Sequence, residues 1–170
     1  MINEKLAKAI NEQINKELYS EYLYLSMQAW FANESLDGMA SWMNAQAQEE
    51  HFHAMKFFNY LVERGARVIL KTIEQPTVDF ESPLQIFKMS LEHEQFVTKS
   101  INELMDLAIK VNDHATRSFL QWYVDEQVEE EASVDKIVNM LQRIGDHGHG
   151  IMMIDRDLGS RTFTPPAEEE

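Results

Sequence analysis

The chain contains no cysteine. Disulfides and thiolate metal sites are therefore excluded, and any metal bound by side chains must sit on oxygen or imidazole nitrogen. Proline is scarce: only four occur, at positions 76, 83, 165 and 166. All four fall at the edges of the segments described below, so helices can run unbroken between them. Strand-like patterning is nearly absent, with "RVILKTI" (67–73) as the one candidate. No apolar run approaches the roughly 18–20 residues of a membrane span. The N-terminal stretch "MINEKLAKAINEQINKEL" is amphipathic and partly acidic, unlike a signal peptide. A cytoplasmic location is expected. Positive charge is in deficit: 15 Lys and Arg against 29 Asp and Glu give a net charge of −14. That argues against nucleic acid or an anionic membrane as partner and favours cations. Acidity also serves plain solubility, which this number alone does not distinguish.

What is present is a chain of 170 residues, 44% apolar and 26% charged, enough for one domain with a sizeable core. Four long amphipathic stretches stand out. The first runs from about Glu4 to Asn33, with Asn3 as N-cap. The second runs from about Gly38 to Glu63, with Gly65 as the stop. The third opens at Ser82-Pro83, a cap followed by proline in the first turn, and continues to about Val111. The fourth begins near Asn112-Asp113 and ends at Gly145. "NESLDG" (33–38) is a short turn, as is 111–114, so each makes an antiparallel pair. The connection 66–81 is much longer. A helix of 28 residues is about 42 Å long, and 16 extended residues reach about 50 Å, so this loop can run back along the bundle. The expected fold is all-α: an up-down-down-up four-helix bundle with one long crossover. After "DHGHG" comes a short fifth helix, about 150–158, capped by Gly159. It is too short and too late to join the bundle and is expected to bury itself against other subunits. The single domain is placed at 1–160, and 161–170 is expected to be a flexible acidic tail.

Each helix was read at the three-to-four spacing of a bundle core. The second gives Ala40, Met43, Ala47, Glu50, Ala54, Phe57 and Leu61. The third gives Phe87, Ser90, Glu94, Val97, Ile101, Leu104 and Ala108. The fourth gives Leu120, Tyr123, Gln127, Glu130, Val134, Ile137 and Leu141. The first gives Ile10, Ile14, Glu17, Glu21, Tyr24 and Gln28. Acid interrupts every seam near mid-helix. Mid-helix positions share a height in two hairpins packed side by side. Glu17, Glu50, Glu94 and Glu130 are therefore expected to meet, with His53 and Gln127 beside them.

Four buried carboxylates without lysine or arginine in the seam cannot all stay ionised unaided. Either most are protonated or a cation neutralises them. Oxygen ligands plus one imidazole suit iron, manganese or zinc. Two metals bridged by shared carboxylates match the charge and the ligand count. Glu50 and His53, one turn apart, can serve the same metal. The plainer readings stand beside this one. A single seam glutamate is often solvated, and His53 alone is more often a hydrogen-bonded core residue. Tyr24 and Trp122 read by default as core aromatics, the ten methionines as packing, and His147 and His149 as loop residues. His51 and His93 receive no role.

"NKELYSEYLYLSM" (15–27), "QAQEEHFHAMKF" (46–57), "EHEQF" (92–96) and "DEQVEEEASV" (125–134) resemble the bacterial non-haem ferritins, and the likeness extends over about residues 3–160. The resemblance implies that Glu17, Glu50 and His53 hold one iron, and that Glu50, Glu94 and Glu130 hold a second, with Gln127 alongside. It assigns Tyr24 as the site tyrosine and Trp122 as a nearby aromatic. It implies oxidation of Fe(II) by O₂ or peroxide and storage of ferric mineral in a homo-oligomeric shell of twenty-four chains. Two departures from relatives matter. Positions 127–130 read Q-x-x-E rather than E-x-x-H, and His51 follows Glu50 where bacterioferritins carry a haem-ligating methionine, so no haem is expected. Arg117 and Leu120 stand where animal ferritins carry the acids of the threefold pore.

Glu49, Glu126 and Glu129 each precede a seam residue by one. On antiparallel neighbours the same step, about 100° of helix rotation, makes these acids either converge beside the dinuclear site or splay apart. The resemblance favours convergence into a third iron position coupled through Glu130. Two rivals remain. A di-iron oxygenase or peroxidase would usually carry a second E-x-x-H, which is absent. A purely structural bundle would bind no metal and tolerate Glu50→Ala.

Overall fold

A computed structural model of the chain describes residues 2–145 and 147–166. Within them lie five helices: α1 (Glu4–Asn33), α2 (Asp37–Glu63), α3 (Pro83–Lys110), α4 (His114–Ile144) and α5 (Gly148–Leu158). The caps follow from residue chemistry. Asn3 accepts from the Lys5 amide, Ser82 from Gln85 with Pro83 in the first turn, and Asp113 from Thr116. Gly65, at φ 73°, turns the chain out of α2, which a residue with a Cβ does only at a cost.

Cross-helix partners define the topology. Along α1, Lys16, Ser20 and Met27 reach Ser100, His93 and Ser90 of α3, so these helices run antiparallel. Along α2, Gln46, Phe57 and Tyr60 reach Glu130, Phe119 and Thr116 of α4, antiparallel again. With the α1–α2 turn short, α2 and α3 must point the same way, and the bundle is up-down-down-up. The long crossover makes this possible. It lies along α1, where Asn11 takes the Ile69 amide at 2.6 Å and Ser26 donates to the Thr77 carbonyl at 2.6 Å. Those anchors are fifteen residues apart on α1, about 22 Å. Residues 67–73, expected as a possible strand, form none: Asn11 of α1 takes the Ile69 amide and donates to the Arg67 carbonyl, and Val68 packs on the hydrophobic core.

The core forms two hydrophobic halves. One contains Leu23, Met27, Phe31, Met43, Phe87, Val134 and Leu141. The other contains Leu6, Ile10, Ile14, Phe57, Leu61, Ile101 and Leu120. Between them lies a buried polar layer of Glu17, Ser20, Gln46, Glu50, His53, Glu94, Gln127 and Glu130. The seams read for α2, α3 and α4 are buried at every position. The α1 seam needs correction. Glu21 and Gln28 are only half-buried, and Ser20, Met27 and Phe31 take the inner face. A stripe at 3.6 residues per turn drifts on a helix of 30 residues, and α1 is covered by both α2 and α3. Leu120, expected at a pore position, is fully buried in the core, whereas Arg117 is exposed.

α5 docks on its own chain rather than only on neighbours. Ile154 and Asp155 are buried, and Asp155 Oδ1 accepts the Met39 amide at 2.8 Å. α2 has no side-chain cap of its own, so α5 supplies one from far along the chain. Gly38 permits the approach: a Cβ there would stand 1.7 Å from the Asp155 carbonyl oxygen. Met152 and Met153 on the other face remain exposed. His147 is exposed in the connection before α5, at its N-cap position without a side-chain cap bond, whereas His149, expected in the loop, lies in the first turn of α5. Residues 161–166, expected to begin a flexible tail, lie against α2: Arg161 pairs with Glu49, and Phe163 packs 6.0 Å from Phe52. Residues 167–170 of that tail are outside the described residues.

Candidate metal centre

Glu17 of α1, Glu50 and His53 of α2, Glu94 of α3, and Gln127 and Glu130 of α4 are all buried, none more than 4% exposed. One ligand atom from each of Glu17, Glu50 and His53 lies within 4.8 Å of the other two. The pair on α2 is local in origin: three residues of helix bring Glu50 Oε2 to 3.6 Å from His53 Nδ1. The third member comes from α1 through the hairpin. Glu17 Oε2 and Glu50 Oε2 are buried and take no hydrogen bond from any amide, hydroxyl or cationic group, leaving only the two carboxyls to share a proton with each other. An unsatisfied buried oxygen is costly, and two of them beside an imidazole form a donor set that fits a hard or borderline divalent cation.

The remaining acids are tied elsewhere. Glu94 accepts from the Tyr24 hydroxyl and, at 3.3 Å, from Gln127 Nε2. Gln127 Nε2 also lies 3.2 Å from both the Glu94 carbonyl and Thr98 Oγ1. Glu130 accepts from Gln46 Nε2 at 2.7 Å. Thus Glu94 and Glu130 share the polar layer but stand outside the group formed by Glu17, Glu50 and His53. Three supporting side chains escaped the sequence reading. Gln13 donates to Glu17 at 2.8 Å, Ser100 donates to Gln13 at 2.5 Å, and Gln46 holds Glu130. A signal existed for two of them, because Gln13 and Gln46 each precede a seam glutamate by four residues, hence by one turn.

Electrostatics follows from burial. Desolvation raises Glu50 well above the ordinary carboxylate range, and the charges of Glu94, Glu17 and Glu130 raise it further. Burial likewise raises Glu130, with Glu94 and Glu49 adding to it. Burial raises Glu17 against the opposing hydrogen bond from Gln13. Glu94 is raised to about 7 by burial, against hydrogen bonds from Tyr24 and Gln127. His53 is lowered to about 3 by burial and by Lys56, so its ring is neutral and able to bind a cation. Tyr123 donates to the His53 carbonyl at 2.8 Å, and the Trp122 ring stands edge-on to the imidazole at 5.4 Å.

Beside this layer a second group forms. One ligand atom from each of Glu49, His53 and Glu126 lies within 4.8 Å of the others. The two acids on antiparallel helices therefore converge rather than splay. Glu129 is exposed and outside the group, although its charge helps raise Glu49 and Glu126 after their burial does. His51 pairs with Glu21 at 3.1 Å on the surface. His93, lowered to about 4 by burial, contacts Ser20 at 2.7 Å.

A helical bundle with a buried carboxylate–histidine layer between two hydrophobic halves defines a ferritin-like protein, and comparison with known proteins agrees. The ferritin-like domain family matches residues 7–144. A bacterial non-heme ferritin of Campylobacter jejuni is 46% identical over 156 residues, 92% of this chain and 93% of that protein. One from Staphylococcus aureus is 41% identical over 163 residues, covering 96% and 98%. The open-pore ferritin of the archaeon Archaeoglobus fulgidus superposes with a TM-score of 0.94 at 48% identity, covering 95% of this chain and all of the other. A form of that ferritin engineered to be closed gives 0.95 at 49% identity. The chain belongs to the ferritin family, whose members store iron.

Proposed function

We propose that the chain is a ferroxidase, an Fe(II):oxygen oxidoreductase that loads an iron store. The observation that carries this reading is the buried triad itself: Glu17 and Glu50, whose Oε2 atoms have no partner but each other's carboxyl, beside a neutral His53. In the reading, Glu17, Glu50 and His53 take one Fe(II). Glu50, Glu94 and Glu130 take the second, with Gln127 beside them. Both Fe(II) are substrates. Cation binding displaces the protons that burial favours on Glu50, Glu94 and Glu130. Carboxylates favour Fe(III) over Fe(II) electrostatically, so the site lowers the potential of the iron it binds. Each iron gives one electron, and O₂ takes the two electrons and two protons to leave as hydrogen peroxide. Tyr24, hydrogen-bonded to Glu94, orients that carboxylate. Fe(III) must then leave, and Glu17 and Glu130, each held by one glutamine hydrogen bond from Gln13 and Gln46, can change orientation to release it.

Glu49, Glu126 and Glu129 with Glu130 form a third position on the way out. The convergence of Glu49 with Glu126 supports it, and a shift of Glu129 would complete it. Twenty-four chains would form the shell. No helix among the described residues is long and apolar enough to cross a membrane, and we place the shell in the cytoplasm. The test is anaerobic Fe(II) titration of a sample first sized by sedimentation, followed by O₂. Two tight irons per chain and their rapid pairwise oxidation are expected. Failure to bind Fe(II) in the polar layer overturns the reading.

A further inference from the structure

Arg161 follows α5 and lies where no mechanism yet uses it. Its Nη2 donates to Glu49 Oε2 at 2.7 Å, and the two side chains are 25% and 17% exposed. Its guanidinium carbon stands 4.5 Å from the centre of the buried Trp42 ring. Trp42 and Glu49 are seven residues apart on α2, two turns along one face, so one guanidinium reaches both. The other nitrogen, Nη1, is buried without a partner. Beyond Arg161 the chain continues over the same opening. Thr162, Phe163, Thr164 and Pro166 join Glu49, His53 and Glu126 around a cavity of about 280 Å³. Phe163 packs on Phe52, and the near end of the segment is tied down by the Ser160 hydroxyl, 2.8 Å from the Asp157 carbonyl.

We propose that Arg161 is a tethered cation that competes with metal for the third position, and that segment 160–166 is the strap that carries it. The inference rests on the third position proposed above. An acid group open to water draws cations whether or not the dinuclear site is filled. A guanidinium already on Glu49 neutralises it and must be displaced before a metal binds there. Among the described residues, no lysine or arginine pairs directly with Glu17, Glu50 or His53, although the charges of Lys16 and Lys56 are felt at Glu17 and His53, so the inner triad has no seated competitor of this kind. Metal therefore fills the inner triad first, and the third position fills only when metal supply is high enough to push Arg161 aside. Trp42 already lies under the guanidinium, so a group displaced from Glu49 keeps one uncharged partner on the same face.

The test is a Zn(II) titration of the assembled metal-free protein by calorimetry, for the parent, Arg161→Gln and Arg161→Lys. The third equivalent is expected to bind roughly three- to tenfold more tightly in Arg161→Gln, with Arg161→Lys returning toward the parent. In a Trp30→Phe/Trp122→Phe background, Trp42 emission is expected to change as the third equivalent binds, and to lose that change in Arg161→Gln. Equal third-site affinity in parent and Arg161→Gln overturns the inference while leaving the third position standing. Two equivalents only, in both proteins, removes the third position and the inference together. Trp42 emission that stays flat through the third equivalent also overturns it.

Discussion

Glu50 and His53 face each other one turn apart on α2, with Oε2 3.6 Å from Nδ1, yet they are not an ion pair. Burial lowers the imidazole to about 3, so the ring is neutral at pH 7, and raises the carboxyl well above its ordinary range. A helix that places two such groups in its core without satisfying Glu50 Oε2 holds an arrangement suited to a cation rather than to its own stability.

Glu17→Ala, Glu50→Ala and His53→Ala are each expected to slow rapid Fe(II) oxidation at least roughly a hundredfold, since even outer changes at metal sites cost about ten- to a hundredfold. The helices should survive, because the two hydrophobic halves of the core are untouched. Stopped-flow absorbance after O₂ mixing, with circular dichroism on the same samples, checks both points. Parent-like rates in all three variants would defeat the site assignment.

The metal-free protein should carry a stability penalty that depends on pH. A carboxyl raised on folding holds its proton in the native state after the unfolded chain has lost it. Its contribution is therefore complete below about 4.5 and is lost as pH rises toward the folded value, about 7 for Glu94. Glu50→Gln mimics the protonated form. It should raise apo stability by on the order of 1 kcal/mol near pH 8 and leave it nearly unchanged near pH 5. Urea melts of chelator-treated protein at both pH values measure this. An equal effect at the two pH values would count against it.

Glu49→Ala/Glu126→Ala/Glu129→Ala is expected to reduce bound iron from three to two per chain before mineral forms. It should also change the ratio of Fe(II) oxidised to O₂ consumed, with pairwise oxidation intact. Oxygen-electrode measurements at several iron loads give that ratio. An unchanged ratio, with only two irons in the parent, would remove the third position and leave the dinuclear site.

Met152 and Met153 are 57% and 52% exposed on the face of α5 turned away from its own bundle. Two adjacent large apolar side chains on an already docked helix suit a subunit contact. Met152→Glu/Met153→Glu should shift sedimentation from a large closed shell toward smaller species, with the helix content of the subunit preserved. A shell of unaltered size would show that α5 does not carry assembly.

The sequence by itself determined the helices, their order and most of the buried layer. Spacing of three and four on α2, α3 and α4 placed Glu50, Glu94, Gln127 and Glu130 inward, because a helix repeats at 3.6 residues and each of these faces only the bundle. The crossover followed from loop length alone. On α1 the same arithmetic misplaced Glu21 and Gln28, because the buried stripe runs Glu17, Ser20, Tyr24, Met27, Phe31, following a repeat of about 3.5 residues per turn from which a 3.6 spacing drifts. The tertiary structure decided the rest. Whether Glu49 and Glu126 converge depends on how α2 and α4 are rotated about their axes, which spacing within either helix does not encode. The cap that Asp155 lends to α2, and the reach of Arg161 to Glu49, join residues more than a hundred positions apart. Such contacts arise only once α5 has docked over Gly38, where the absence of a side chain lets two backbones touch.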